Sequence, residues 1–240
     1  PAEYQCRKSC VLTKKGSSFA SEEAINIHFL ERFIGDYGMR NELEAPAVAE
    51  KKFSQVKVAI IGSGPAGLCC AGELARLGIK VVVYERLHKP GGVLRYGIPP
   101  FRLPRDILDF EINYLKRLGV KILPNYIIGK VKTLDELFQE GFDYVFLGLG
   151  AGVPSFLGIP GESLCNIYSA NEFLTRVNLM NAFEFPRFHT PVNIGKHVLI
   201  VGGGNTAMDA ARVALRLQKL KGYPLNTTVI YRRTEVEMPA

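Results

Sequence analysis

The chain has 240 residues, of which 47% are hydrophobic, and its formal net charge is +7. This length accommodates one large or two modest domains with a real core, which excludes a globally disordered protein. Lysines and arginines are spread along the chain without a long basic block, which disfavours nucleic-acid binding. No apolar run approaches the ~20 residues that span a bilayer, and no signal peptide is recognisable, so we expect a cytoplasmic protein.

The first fifty residues contain a cysteine pair and one helical pattern. Cys6 and Cys10, in C-x-x-x-C spacing, are the pair of interest among five cysteines. Ser21 is a candidate N-cap for a helix over residues 22–37, because a serine hydroxyl accepts hydrogen bonds from first-turn amides. Residues 41–54, with a proline and several charges, are predicted to form a linker.

A dinucleotide-binding pattern follows in the sequence VAIIGSGPAGL, residues 58–68. Gly62, Gly64 and Gly67 have G-x-G-x-x-G spacing. In that motif the first glycine allows a tight turn and the second allows a pyrophosphate to approach. The third lets the helix pack on the strand. Such a turn also occurs in α/β proteins that bind no nucleotide, so its context matters.

That context is a strand before the turn, a helix over residues 66–77, and a second strand over residues 80–84 that ends at Glu85. Glu85 is close to the ~20-residue distance expected of the acid that binds a ribose hydroxyl. The combination favours a nucleotide site over a plain α/β turn.

The middle of the chain is predicted from its hydrophobic patterns. Residues 89–104, KPGGVLRYGIPPFRLP, form an irregular loop that either lies on the surface or covers a cofactor. The predicted elements that follow are helices over residues 105–118, 134–139 and 171–180, and strands over residues 120–123, 126–128 and 144–149. Residues 158–162 are a Pro/Gly crossover and a candidate domain boundary.

The first pattern recurs in the sequence HVLIVGGGNTAMDAARVALRL, which begins at residue 197. A strand over residues 198–201 leads to Gly202 and Gly204, Ala207 takes the third position, and a helix runs to about residue 220. The next strand, residues 228–231, ends in Arg232 and Arg233 instead of an acid. Arginine can bind the 2′-phosphate of NADP with charge-assisted hydrogen bonds, whereas an acid would repel it. A solvated surface pair is the alternative, but the position favours NADPH over NADH.

Two dinucleotide units in one chain suggest a flavin reductase, in which NADPH in the second site passes a hydride to FAD in the first. No catalytic residue is expected, and no dyad, triad or zinc spacing is visible. We predict an α/β fold with two Rossmann-like units. The chain stops just after the second strand of the second unit, so we expect this fold to be incomplete at the C-terminus and the chain to be an internal fragment.

Eight stretches carry a family resemblance: QCRKSCVLTKKG, LERFIGDY, GSGPAGL, PGGVLRYGIPPFRLP, GLGAGVPSFLGIPGE, SANEFLTRVNLM, VGGGNTAMDAAR and YRRTEVEMPA. In these the chain resembles the small (β) subunit of NADPH-dependent glutamate synthase and its relatives. Those relatives include the large subunit of NADH-dependent ferredoxin:NADP oxidoreductase, or sulfide dehydrogenase, and the N-terminal part of dihydropyrimidine dehydrogenase. The resemblance implies a disulfide-reductase-like FAD/NAD(P)-binding fold preceded by the helical end of an Fe–S domain.

The resemblance also implies cofactor-binding residues. For FAD these are Gly62, Ser63, Gly64, Pro65, Ala66, Gly67, Glu85, Arg86, Gly92 and Leu94, with backbone contacts near Ile128 and Gly150. For NADPH they are Gly203, Gly204, Asn205, Thr206, Arg232 and Arg233. In the full-length protein, [4Fe–4S] clusters would be held partly by Cys6 and Cys10, which match the last two cysteines of the family pattern.

The implied domains are residues 1–50, the end of the cysteine-rich helical segment with its linker, residues 51–157, the first part of an FAD domain, and residues 158–240, a truncated NADP domain. The implied partner is a glutamate synthase large subunit or a ferredoxin-linked subunit. A non-catalytic nucleotide-binding or assembly module remains the alternative function. A thiol-disulfide reductase ranks third, because no redox C-x-x-C pair is present.

Overall fold

The structure is a computed structural model that describes residues 5–13, 24–41, 43 and 52–239. Its contacts divide the chain into a first unit up to residue 45 and a second unit from residue 46. The first unit contains α1 (Gln5–Lys8), a 3-10 turn (Val11–Thr13) and α2 (Ile27–Arg40). The predicted cap Ser21 and most of the predicted linker lie outside the described residues.

Both predicted ends of the first long helix are wrong. The helix expected over residues 22–37 begins at Ile27 and ends at Arg40. Asn26 occupies the N-cap position, and Asn41 closes the other end by donating its side-chain N–H to the carbonyl of Tyr37 at 2.8 Å. Apolar periodicity identifies the face of a helix but not its ends, which are set by such capping residues.

The second unit contains a sheet of four parallel strands in the order β3–β2–β1–β4. The strands are β1 (Lys57–Ile61), β2 (Lys80–Tyr84), β3 (Lys121–Leu123) and β4 (Tyr144–Leu147). The central strand β1 is buried on both faces, with Val58 and Ile60 in one core and Ala59 and Ile61 in the other. Such continuous apolar strands are typical of a parallel sheet covered on both sides.

The helices around this sheet are α3 (Pro65–Arg76), α4 (Val93–Tyr96), α5 (Arg105–Arg117) and α6 (Leu134–Gln139). Helix α3 buries only small residues, Gly67, Ala71 and Ala75, which lie four apart on one face. This face lets the helix axis lie close to β1. Helix α5 buries Leu108, Ile112 and Leu115, and Leu115 belongs to the same core.

A second, two-stranded parallel sheet pairs β5 (Val198–Val201) with β6 (Thr227–Ile230). Helices α7 (Ala170–Asn178) and α8 (Asn205–Leu220) pack on it, and 3-10 turns occur at Ala182–Glu184 and Glu235–Glu237. The shared core consists of Phe173, Leu174, Val177, Ala210, Val213, Ala214 and Leu217. We call residues 52–149 the first lobe and residues 170–239 the second lobe.

Most predicted elements of the second unit are present, and two predictions are wrong. The strand expected over residues 126–128 is reduced to a single bridge between Ile128 and Lys132. The left-handed backbone of Asn125 (φ 59°) and Gly129 (φ 89°) bends the chain on either side of it. The loop expected over residues 89–104 contains α4, whose four residues are too few to give a periodic pattern.

One buried side chain ties α8 to the starts of both strands of the second sheet. Gln218 is completely buried, and its amide donates to the carbonyls of Gly195 at 3.0 Å, Lys196 at 3.2 Å and Asn226 at 3.1 Å. Its oxygen accepts from the backbone N–H of Asn226 and the hydroxyl of Thr227, both at 3.1 Å. Each polar atom of this glutamine is therefore satisfied inside the second lobe.

Gln218→Leu should lower the free energy of unfolding by about 2–4 kcal/mol, because it keeps the volume but leaves buried backbone groups without partners. Urea denaturation measures the change. Gln139→Leu, at the exposed end of α6, is the matched control and should stay within about 0.5 kcal/mol of the parent. Equal midpoints for the two variants would contradict the prediction.

Candidate functional site: two glycine turns

The first glycine turn follows β1 and leads into α3. Gly62 has φ 103°, and a Cβ on it would lie 2.3 Å from the carbonyl oxygen of Gly148. A Cβ on Gly67 would lie 1.9 Å from the carbonyl oxygen of Gly62, so only glycine permits this contact between helix and strand. Gly64, by contrast, has no atom within 4 Å of its Cβ position. The turn is tightly packed on the protein side and open on the side where a phosphate would approach.

The start of α3 has the features of an anion-binding site. Pro65 occupies the first helical position, where no intrahelical hydrogen bond is lost. The amides of Ala66 and Gly67 lie in the first turn and have no intrahelical acceptor. Free amides and the positive end of the helix dipole together favour a negative ligand.

Glu85 lies at the end of β2 beside this turn and is 4% exposed. One carboxylate oxygen accepts from the backbone N–H of Ser63 at 2.9 Å and from its hydroxyl, and the other accepts from the N–H of Leu87 at 2.8 Å. A carboxylate has about four acceptor positions, so these three bonds leave room for one further donor. A ribose contact by Glu85 stays a prediction.

The segment before α4 packs directly on the first turn. Gly91 donates to the backbone oxygen of Ser63 at 3.1 Å, and a Cβ on Gly92 would lie 2.6 Å from the Cα of Gly64. Gly92 has φ 52°, which also favours glycine. Leu94 follows, half-buried, within α4. These two predicted FAD residues therefore lie on an element that touches the turn.

Sequence reasoning missed two residues here. Gly148 donates its N–H to Ile61 and brings its carbonyl against Gly62, and the G-x-G-x-G run after β4 was its signal. Arg95 is 6% exposed, donates to the carbonyl of Pro90 at 2.6 Å and pairs with Asp109. No local pattern marks a buried arginine, because its partner comes from another helix.

The other predicted FAD residues are more dispersed. Arg86 is exposed, and its guanidinium lies 3.2 Å from the Cβ position of Gly152. Gly150 has φ 66° and is exposed with open space around it. Ile128 packs against the core cluster of Tyr84, on the far side of the sheet from α3. That cluster also contains Ile61, the residue before Gly62, and a backbone contact near Ile128 stays a prediction.

The second glycine turn repeats the first between β5 and α8. Gly202 has φ 129°, and its Cβ position lies 3.5 Å from the Cβ of Ala207. A Cβ on Gly203 would lie 2.7 Å from the ring of Tyr231, the residue after β6. Gly204 has no atom within 4 Å of its Cβ position. The open position is thus the same in both turns.

The predicted NADPH side chains flank this open position. Asn205 and Thr206 are exposed in the first turn of α8. Arg232 and Arg233 are exposed directly after β6, and within the described residues neither has an ion pair or a side-chain hydrogen bond. Both guanidiniums are available to a ligand. Their binding to a 2′-phosphate stays a prediction.

The candidate ligands of an Fe–S cluster are two cysteine thiols. Cys6 lies in α1 and Cys10 lies shortly after it, and both are half-buried. Backbone hydrogen bonds from Ile25 and Leu12 hold the pKa of the Cys10 thiol below its ordinary value, which favours the thiolate. Within the part of the chain that the structure describes, no three His, Cys, Asp or Glu side chains could hold a metal ion together. Cys6 and Cys10 by themselves do not form a complete four-thiolate site.

No helix in the described ranges is long and apolar enough to cross a membrane.

The amino-acid sequence of this chain matches known proteins along its length. The family profile described as pyridine nucleotide-disulphide oxidoreductase matches residues 56–240. The chain is 38% identical over 245 residues to the NADPH-Fe(3+) oxidoreductase subunit beta of Geobacter sulfurreducens and 34% identical over 241 residues to the glutamate synthase [NADPH] small chain of Escherichia coli. All of the chain is covered in both alignments, but it spans only 33% and 48% of those proteins.

A solved structure shows the same fold. Mycobacterium tuberculosis FprA, in complex with NADPH, matches with a TM-score of 0.61 and 27% identity, over 76% of this chain and 45% of that chain. The family resemblance expected from the sequence motifs, the paired nucleotide-binding fold and the relationship to NADPH oxidoreductases are confirmed. The chain therefore belongs to the pyridine nucleotide-disulphide oxidoreductase family and is related along its whole length to the small chain of NADPH glutamate synthase.

Proposed function

We propose that this chain is the nucleotide-binding portion of an NADPH-dependent flavin oxidoreductase of the glutamate synthase small-subunit type, with FAD at the first glycine turn and NADPH at the second. The observation that carries the proposal is the shared geometry of the turns. In each, a glycine with open space at its Cβ position, Gly64 or Gly204, immediately precedes a helix. A glycine-lined opening at a helix N-terminus fits a pyrophosphate.

The residues at the two strand ends distinguish the two nucleotides. Glu85 after β2 suits a ribose with a free hydroxyl, whereas Arg232 and Arg233 after β6 suit a ribose that carries a 2′-phosphate. Bound FAD would accept a hydride from NADPH together with one proton, giving NADP⁺ and reduced FAD. The chain's own contribution is to bind and orient the two nucleotides, so no acid–base residue is required.

The onward electron acceptor and the partner belong to the same proposal. Relatives named as β subunits and small chains act within larger assemblies, which supports a partner subunit or Fe–S clusters as the acceptor. Cys6 and Cys10 would supply two of the thiolates for a cluster completed by cysteines outside this sequence. We also propose a cytoplasmic location, because the five cysteines are all free, as is usual in a reducing compartment.

The visible spectrum of the natural full-length protein, recorded before and after anaerobic NADPH, tests the proposal. Flavin absorption that bleaches on NADPH addition is the expected result, and a broad underlying absorption would report clusters. A protein that binds NADPH but stays colourless after FAD is added would overturn the reductase in favour of the non-catalytic nucleotide-binding module.

Matched glycine variants should separate the two sites. Gly64 (φ −72°) and Gly204 (φ −88°) have backbone conformations open to any residue, so alanine at either should leave the fold intact. Gly64→Ala should weaken FAD binding at least about tenfold, or about 1.4 kcal/mol, with little change in NADPH affinity. Gly204→Ala should do the reverse. Fluorescence titrations measure both constants, and a loss of both nucleotides in one variant would contradict the assignment.

The double variant Arg232→Ala/Arg233→Ala should lower the ratio of kcat/KM for NADPH to that for NADH by about 10- to 100-fold, since charge-assisted hydrogen bonds contribute about 1.5–3 kcal/mol. Lys219→Ala/Lys221→Ala is the control, because it removes the same charge from the far end of α8. The control should leave the ratio unchanged. An unchanged ratio in the arginine variant would refute the 2′-phosphate assignment.

A further inference from the structure

A single buried ion pair joins the two lobes. The guanidinium of Arg102 donates to both carboxylate oxygens of Asp209, at 3.0 and 2.9 Å. The Asp209 side chain is 5% exposed and that of Arg102 is 28% exposed. Within the described residues, Arg102 is the only hydrogen-bond partner of this carboxylate. The pair therefore joins a buried carboxylate to a half-buried guanidinium from a distant part of the sequence.

Each end of the pair leads directly to one glycine turn. Asp209 lies in α8, five residues after Gly204, which places it about 7 Å along the axis from the helix start. Arg102 follows α4, the helix whose N-cap residue, Gly92, packs on Gly64. The intervening backbone is held by Arg105, which donates to the carbonyls of Leu94 at 2.8 Å and Ile98 at 2.9 Å.

The surrounding contact between the lobes is not filled by apolar packing. A cavity of about 430 Å³ lies between residues 99–101 of the first lobe and the α7 and α8 residues of the second. Polar contacts border it: Asn178 donates to the carbonyls of Tyr96 and Gly97, both at 3.2 Å, and the Arg216 guanidinium lies 3.8 Å from the ring centre of Phe101. Discrete polar contacts therefore connect the lobes around an open cavity.

The chemistry of the pair suits orientation more than stability. A buried ion pair often contributes little net stability, because desolvation offsets the attraction. A two-pronged arginine–carboxylate contact nevertheless fixes both distance and angle. Hydride transfer depends on such geometry, since an error of about 1 Å between reacting groups can cost about 100-fold in rate.

We propose that Arg102 and Asp209 are positioning residues that set the second glycine turn at the orientation to the first that hydride transfer requires. This proposal rests on the proposed function. In this role the pair acts through α4 and α8.

The first test is the rate of flavin reduction by NADPH, measured by stopped-flow absorption in the full-length holoenzyme. Asp209→Asn should lower this rate at least about tenfold, while the Kd for NADPH changes less than about threefold. A rise in Kd that matches the fall in rate would overturn the proposal, because Asp209 would then act on NADPH binding itself.

A second variant tests the pair without leaving an unpaired charge that could cause misfolding. Arg102→Met/Asp209→Leu removes both charges, so no unpaired carboxylate remains buried and the fold is preserved. The rate of flavin reduction in this double variant should fall as far as it does in the Asp209→Asn variant. The control, Arg187→Met/Glu184→Leu, makes the same change at an exposed pair of the second lobe and should keep the parental rate. A parental rate in the Arg102 and Asp209 double variant would overturn the proposal.

Arg102→Lys separates charge from geometry, because lysine keeps the charge but cannot form the two-pronged contact. Its rate should fall at least about threefold. A parental rate would show that neutralisation of Asp209 suffices and would overturn the orienting role.

Amide hydrogen exchange tests the pair independently of catalysis. In the Arg102→Met/Asp209→Leu variant, the backbone amides of residues 93–103 should exchange faster than in the parent and in the control. Unchanged exchange would overturn the proposal. If the parent protein shows no flavin reduction by NADPH, the proposed function fails, and the exchange comparison still decides whether the pair holds the lobes.

Discussion

A helix can begin directly at the end of a parallel strand only where the residue that faces the strand backbone is glycine or very small. The second unit depends on this constraint at Gly67, whose Cβ position lies 1.9 Å from the carbonyl of Gly62. The contact brings α3 against β1 and aims the first-turn amides at the open space beside Gly64. Packing and anion recognition therefore come from the same backbone geometry.

The second lobe uses the same device with different surroundings. Its third position is Ala207 instead of glycine, and Gly203 makes the closest approach, against the ring of Tyr231. The aromatic ring follows β6 and immediately precedes Arg232. The packing that shapes the second turn thus also places the arginine pair at the neighbouring strand end, the position proposed for a 2′-phosphate.

The contact between the lobes is chemically unlike either core. Each core is apolar and continuous, whereas the lobes meet through an ion pair, one side-chain amide and a cation–π contact around a cavity. Directional contacts of this kind set an orientation that apolar surfaces alone leave free to slide. Under the proposed function, in which a hydride passes between two nucleotides, that orientation matters for the reaction.

Much of this protein is determined by its sequence alone. Strong local patterns predicted β2, β5 and α6 with their observed bounds, and both glycine turns, because strand and turn signals there depend on neighbouring residues. The same patterns misplaced the ends of α2 and predicted a strand around Ile128 that Asn125 and Gly129 prevent. Helix caps and backbone bends depend on single residues, which the hydrophobic periodicity does not reveal.

Only the tertiary structure decided how Glu85 is held, that Arg95 and Asp209 are buried, and that Arg102 reaches across to α8. These features join residues from separate elements, and a charged residue in a sequence gives no sign of a partner a hundred positions away. The sequence determines which residues form each nucleotide turn, because those contacts are local. The way the two turns face each other depends on long-range contacts, and these exist only once the chain has folded.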